Sequence, residues 1–256
     1  VPVTVVILTF NEASNIGACL EAIPEPWPVL IVDSGSTDHT CSIAEAAGAR
    51  VEHRPWSGFA DQRNHALAAC GVQTPWILFI DADERYPVAF FNWMRVAVGP
   101  VGVDAFNVPS TLFLDSRPLR HAPGYPILHP RLVRRGRVRF IANHAGHGEA
   151  LEPCRVALAP IGYDHFFQDG DLEPWLRKHI GLAALEADAK GIATTRRGRL
   201  ARWAPAGPAR ALARFAYHYL IRLGFLDGKA GLRYAAMYAW YELAIYLIGA
   251  SRRVPR

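Results

Sequence analysis

Asp81, Asp83 and Glu84 set three carboxylates within "DADE", directly after the apolar run Trp76-Ile77-Leu78-Phe79-Ile80. Like charges this close repel, and the crowding costs stability unless something positive sits among them. A solvated turn is one reading. A divalent cation carrying a phosphorylated substrate is the other. Carboxylates at i and i+2 of an extended segment face the same way. Mg²⁺ or Mn²⁺ prefers oxygen ligands and is often held by one or two carboxylates plus substrate phosphates. On this reading Asp81 and Asp83 are the metal ligands, Ala82 lies between them, and the metal neutralises a diphosphate leaving group.

Two further polar clusters also follow apolar runs. "VDSGSTD" offers Asp33 as an acceptor for a base or ribose donor, with Ser34, Ser36, Thr37 and Asp38 around a glycine turn. "TFNE" supplies Thr9, Asn11 and Glu12, and Glu12 can bond a ribose hydroxyl. Thr37, Asp38 and Glu12 also suit plain helix entry. In "WSGFADQRNHAL", Gln62, Arg63 and Asn64 fall in the first turns of an expected helix, where Arg63 suits a nucleotide or phosphate, or simply the surface.

These clusters need a frame. Val3–Thr9, Val29–Val32, Trp76–Ile80 and the shorter Ala49–His53 are apolar on both faces, as strands of a covered parallel sheet are. Helical patterns lie between them. Ser14 or Asn15 is expected to cap the first helix, Thr37 or Asp38 the second, which ends at Gly48, and Ser57 the third, which ends at Gly71. The order βαβαβαβ predicts a doubly wound α/β sheet, whose ligands bind beyond the carboxyl ends of the strands. All three polar clusters then share one edge, which ordinary turns explain poorly.

Beyond Pro100, segments 104–114, 131–140 and 154–166 read as irregular strands between loops rich in Pro, Gly and His. A helix over Asp171–Lys190, a basic linker, a helix from about Ala209 to Leu223 and a last helix over Lys229–Ala250 follow. Leu212, Phe215, Ala216, Tyr219 and Leu220 form a stripe on the middle one.

From Arg196 onward, twelve basic residues face only Asp227 and Glu242, a net +10, so residues 1–195 carry −5. Such a split predicts a tail that meets an anionic partner. The stretch 234–250 is short for a spanning helix and contains Glu242. Its tyrosines, Trp240 and the basic residues beyond suit an interfacial helix beside anionic lipid; packing on the core is the alternative. Nucleic acid is not expected, because the aromatics alternate with aliphatics on helical stripes. The N-terminus "VPVTVVILTFNE" has no basic n-region or cleavage site and reads as a first strand. Cys19, Cys41, Cys70 and Cys154 form no CxxC pair and read as reduced cytosolic thiols.

"ILTFNEASNI", "VLIVDSGSTDHT", "GFADQRNHAL" and "WILFIDADERYP", with "LGFLDGKAG" and more weakly "RLVRRG", resemble family 2 glycosyltransferases of the GT-A fold. The bacterial lipopolysaccharide-core β-glucosyltransferase branch is the nearest likeness. The resemblance implies a Rossmann-like, mostly parallel α/β sheet, a nucleotide-diphosphate sugar donor such as a UDP-hexose, a divalent metal and inversion at the anomeric carbon. It implies nucleotide contacts for Glu12, Asp33 and Arg63, and the diphosphate–metal role for Asp81 and Asp83. An inverting transferase needs a base to deprotonate the acceptor hydroxyl. The branch carries it in a "VHE"-like motif, whereas this chain reads "NHAGHGEAL", with a glycine between His147 and Glu149. Glu149 is the expected base and His147 its neighbour or substitute. Arg131 and His165 are expected to line the acceptor pocket.

The expected organisation is therefore a catalytic domain over 1–195, divided at 100 into nucleotide-sugar and acceptor halves, and a basic helical tail over 196–256. The expected acceptor is a lipopolysaccharide-core or other lipid-linked glycan, met from the cytoplasmic face of the membrane. A nucleotidyltransferase is the rival enzyme, but it commonly has a glycine-rich basic loop where this chain has "TFNEASN". A non-catalytic sugar-nucleotide-binding module is the third reading.

Overall fold

A computed structural model of the protein describes residues 2–68, 71–99, 102–141, 150–188 and 207–252. The apolar runs become strands: β1 (Val3–Thr9), β2 (Val29–Asp33), β3 (Arg50–His53) and β4 (Trp76–Asp81). β1 pairs in parallel with both β2 and β4, and β2 pairs in parallel with β3. Val3, Val5, Ile7, Ile31, Leu78 and Ile80 are buried in one core layer, while Val6, Leu30, Val32, Ile77 and Phe79 are buried in the other. This is the two-sided burial that such runs require.

The intervening helices are α1 (Ile16–Glu21), α2 (Thr40–Ala46) and α3 (Phe59–Ala68). Gly48 ends the second as expected, with φ 82° and its N–H bonded to the Glu45 carbonyl at 2.9 Å. The expected side-chain caps are redeployed. Asn15 occupies the N-cap position of α1, but its amide donates to Glu12 Oε2 at 2.8 Å. The Ser57 hydroxyl donates to Asp61, and Asp38 accepts the Thr40 N–H at 3.0 Å.

β5 (Glu84–Arg85) and α4 (Val88–Ala97) follow. The helix α4 was outside the expected elements; Phe90, Phe91 and Met94 form its buried stripe. Then come β6 (Ala105–Leu114), β7 (Arg117–Leu119), β8 (Ile127–Arg134), β9 (Phe140–Ile141), β10 (Ala150–Leu151), β11 (Val156–Leu158) and β12 (Tyr163–Gln168). The strand order is β3-β2-β1-β4-β8-β6-β12-β5, with β8 antiparallel to both β4 and β6. The α/β class and its Rossmann-like parallel half are as expected.

Contacts divide the chain into two compact units, Val1–Ser110 with Pro126–His165, and Thr111–Tyr125 with Phe166–Arg256. The second unit contains α5 (Glu173–Asp188), α6 (Pro208–Ala216), a π turn over Tyr217–Ile221, a 3-10 turn over Gly224–Asp227 and α7 (Gly228–Ser251). The "LGFLDGKAG" stretch is a packing device there. A Cβ on Gly231 would fall 1.9 Å from the Gly224 carbonyl oxygen, and one on Gly224 would fall 2.5 Å from that of His218. Tyr234, Met237 and Tyr241 of α7 are buried, and the Tyr241 hydroxyl donates to Glu186 of α5 at 2.8 Å. Much of the stretch 234–250 therefore packs inside the protein. No helix among the described residues is long and apolar enough to cross a membrane.

Candidate active site

The strand register brings the three clusters together. Thr9 lies opposite Asp33, and Leu8 opposite Asp81, so β1, β2 and β4 end side by side. Asp33 is fully buried and organises its own loop. Its Oδ1 accepts the Gly35 and Ser36 N–H groups at 2.9 and 2.8 Å, and its Oδ2 accepts the Thr9 and Ser36 hydroxyls at 2.8 and 2.5 Å. Gly35 turns there at φ 99°, in the left-handed region that favours glycine. Burial pushes the Asp33 carboxyl up, but bonds from the Ser36 hydroxyl and N–H, Thr9 and Gly35 outweigh it and leave the pKa lowered.

A carboxylate has about four acceptor sites, and here the protein fills that number. Asp33 thus shapes the loop that presents Ser34. Across from it, Asn11 sits at φ 55°, and its side-chain oxygen accepts the Thr37 N–H at 2.8 Å. Glu12 is tied to the same loop through its N–H, which donates to Thr40 Oγ1 at 2.7 Å. Asp33→Ala is therefore expected to loosen both loops and weaken UDP binding about ten- to hundredfold, equivalent to roughly 1.5–3 kcal/mol for a lost charge-assisted bond. Titration calorimetry with free UDP measures this, and unchanged affinity removes the loop from the site. Asp33 also lies near Cys41 and His53, within 4.8 Å of one another, but its committed oxygens make this a loop anchor.

The carboxylate crowd at the end of β4 has its positive partners. Arg131, from β8, is 2% exposed and donates from Nη2 to Asp81 Oδ2 at 2.6 Å and to Glu84. Its Nε donates to the Tyr163 hydroxyl at 3.3 Å. Arg63, from α3, is 1% exposed and reaches Asp81 Oδ1 at 3.7 Å. The Arg63 guanidinium is boxed by the rings of Phe59, Phe79 and Phe140, 5.5–5.9 Å from their centroids. Glu84 is fully buried, and its Oε2 accepts the Asp81 N–H at 3.1 Å. Burial drives its pKa up to about 7, against the pull of Arg131.

Asp83 has a different partner. Its Oδ2 lies 3.2 Å from His165 Nε2 of β12, and both side chains are partly exposed. Burial acts to lower the His165 pKa, but the Asp83 charge and hydrogen bond override it and raise it to about 9. Asp81 therefore faces two buried arginines, whereas Asp83, similarly part-exposed, is paired with His165. Ala82, between them, is buried.

Asn64 joins α3 to the later half of the chain. It donates to the Phe140 carbonyl at 2.8 Å and accepts the Phe140 N–H at 2.9 Å. β9 pairs antiparallel with β10, and residues 142–149 connect them. His147 and Glu149 fall in that connection and lie outside the described residues. Glu84 and Tyr163 were not among the expected site residues. Glu84 carried a signal, a third acid next to the pair; Tyr163 carried none.

Residues 4–92, which contain the three loops and Arg63, match the profile described as Glycosyl transferase family 2. Over these residues the chain is similar to that family, and beyond them it is similar to a glycosyltransferase along most of its length. It is 27% identical to the lipopolysaccharide core biosynthesis glycosyltransferase LpsC of Rhizobium meliloti (strain 1021), over 93% of this chain and 90% of that protein. An uncharacterised glycosyltransferase of Rickettsia bellii (strain RML369-C) is 42% identical over 31% of the chain and 26% of its own length. Among solved structures, Staphylococcus aureus TarS 1–349 in complex with UDP-GlcNAc aligns with a TM-score of 0.51 and 13% identity, over 99% of this chain and 92% of that one. At that identity the likeness concerns the fold, which is GT-A as expected. These similarities support a glycosyltransferase activity that uses a nucleotide sugar.

Proposed function

We propose that the chain is a family 2 glycosyltransferase that moves a hexose from a UDP-sugar, with inversion, onto a lipopolysaccharide-core or other lipid-linked glycan. The observation that carries this reading is the similarity to LpsC along nearly the whole chain, beyond the family's nucleotide-binding segment. The nucleotide would lie against the Asn11–Glu12 and Asp33–Thr37 loops, with Arg63 beneath them. The acceptor would enter from the side of His165.

Asp83 and His165 fit a divalent cation, Mg²⁺ or Mn²⁺: an oxygen and a nitrogen atom 3.2 Å apart, both partly exposed, with the cation taking the place of the proton that Asp83 holds on His165. Asp81 fits less well, being engaged by Arg131 and Arg63. When bound, the cation would supply Lewis-acid neutralisation of the diphosphate leaving group. Arg131, Arg63 and Glu84 hold the loop in place, and Glu149, with His147 as rival, takes the acceptor proton. The enzyme would work at the cytoplasmic face of the membrane, reached through its basic C-terminal segment.

The test is donor turnover with and without EDTA, alongside a thermal-shift series of nucleotide sugars with Mn²⁺. Ligands that bind the native state raise its melting temperature. A UDP-hexose is expected to give the largest shift, and transfer to a core-oligosaccharide lipid is expected to stop with EDTA. A shift with nucleoside triphosphates alone, with pyrophosphate release, would favour the nucleotidyltransferase reading. Binding without turnover would favour the non-catalytic one.

A further inference from the structure

We infer that the outward face of α6 and the turns after it is a docking surface for an anionic lipid bilayer. The inference rests on the membrane-surface reading above, and places the contact at residues 209–232 instead of 234–250.

The polarity of this segment is inverted for a helix in water. Leu212, Leu220 and Ile221 are 72%, 57% and 70% exposed. Arg210 and Arg214 on the same stretch are only half-exposed, and the Arg214 guanidinium lies 5.7 Å from the centroid of the Tyr238 ring. Leu223, Phe225 and Leu226 prolong the exposed apolar series around the corner. Single exposed leucines are ordinary, but a run of six large apolar side chains turned outward marks an interaction surface.

The corner is clamped, so this exposure does not come from loose packing. The Asp227 carboxylate accepts the N–H groups of Arg120, His121 and Ala122 at 3.0, 3.0 and 2.8 Å. The ring of buried His218 is 2.7 Å, through Nδ1, from the Ala122 carbonyl oxygen. Leu223 holds φ 59°, a conformation that glycine or asparagine adopts at less cost. A leucine kept there places one more apolar side chain, 45% exposed, on the outer face.

Charge selects the occupant. Arg210, Arg214, Arg222 and Lys229 flank the apolar residues in sequence. The acids of 207–252 are Asp227, which is spent on the clamp, and Glu242, which is buried. Lys229 is exposed and Arg210, Arg214 and Arg222 are partly exposed, so exposed leucine and phenylalanine share a segment with cations and no outward carboxylate, the chemistry of an interfacial surface on anionic lipid. A second copy of the chain would bring the same uncompensated positive charge against itself.

The test is sedimentation of the full chain with phosphatidylcholine vesicles, with and without phosphatidylglycerol. The variant is Leu220→Ser/Ile221→Ser/Leu226→Ser, whose positions are exposed, so the melting temperature is expected to stay near that of the parent. The parent is expected to bind only the vesicles containing phosphatidylglycerol. The triple variant is expected to bind at least about tenfold more weakly, with UDP affinity unchanged. If the triple variant sediments like the parent, this face is not the docking surface, although the membrane-surface reading stands. If the parent does not sediment even at low salt, both ideas fall. A parent that ignores vesicles but dimerises, with a monomeric triple variant, would assign the face to a second copy and overturn the proposal.

Discussion

Asp83→Asn is expected to abolish metal-dependent donor binding while leaving the fold intact, whereas Asp81→Asn is expected to weaken the fold itself. The two carboxylates are two residues apart in one loop, but their surroundings assign them different work. Asp83 is paired with His165 and not with the two buried arginines, and an amide there keeps the shape and loses the anion proposed to hold the cation. Removing charge from a crowd of three acids also relieves repulsion in the metal-free protein. A cation supplies several kcal/mol to the transition state, so turnover should fall at least about a hundredfold. His165→Ala should reproduce that loss.

Asp81 faces Arg131 and Arg63, both buried, and its neutralisation leaves positive charge poorly compensated. Breaking a fully buried pair costs about 3–5 kcal/mol. The Asp81 side chain is 31% exposed, so solvent screening reduces the expected cost to about 1–3 kcal/mol. Titration calorimetry of UDP with and without MnCl₂ reads the first effect, and urea unfolding reads the second. An Asp83→Asn enzyme that binds UDP-sugar and Mn²⁺ like the parent would remove the cation from this pair.

The pairing of acids with distant bases marks the limit of what the sequence discloses here. Runs such as Val3–Thr9 and Trp76–Ile80 carry apolar residues on both faces, and that alone placed them in a doubly covered sheet. Once they were parallel neighbours, Thr9, Asp33 and Asp81 had to share an edge. The partners of those acids obey no local period. Arg131 is 50 residues from Asp81, and His165 is 82 from Asp83, brought close by the antiparallel strands β8 and β12. Likewise, Asp33 reads in the sequence as an outward acceptor, because nothing local reveals that Thr9 from another strand supplies one of its four bonds. Amphipathic period has the same blindness on α6. It identifies a stripe containing Leu212 and Leu220, but the packing of α6 and its following turn onto α7 decides which side faces in. The arginines beside them go half-buried, and the leucines stay outside.

Glu149→Gln is expected to stop transfer to the acceptor while donor and metal affinity stay near normal. The nucleotide loops and Asp83 all come from the first 85 residues of the chain, and Glu149 comes from a separate connection. The two functions should therefore separate on mutation. The β9–β10 pairing flanks that connection, and Asn64, next to Arg63 on α3, grips the backbone of Phe140 with two hydrogen bonds. The element that carries the buried Arg63 thus also holds Phe140 of β9. An amide keeps the size and one acceptor oxygen but takes no proton at neutral pH. General-base catalysis contributes about 10²–10⁴-fold, or about 3–5 kcal/mol of barrier. A fall of that size in single-turnover transfer, with unchanged UDP-sugar titration, is the expected pattern. His147→Asn is the paired control, because the glycine between the two residues shifts the motif. Normal turnover by Glu149→Gln with a dead His147→Asn enzyme would give the role to the histidine. Activity in both would place the base outside residues 142–149.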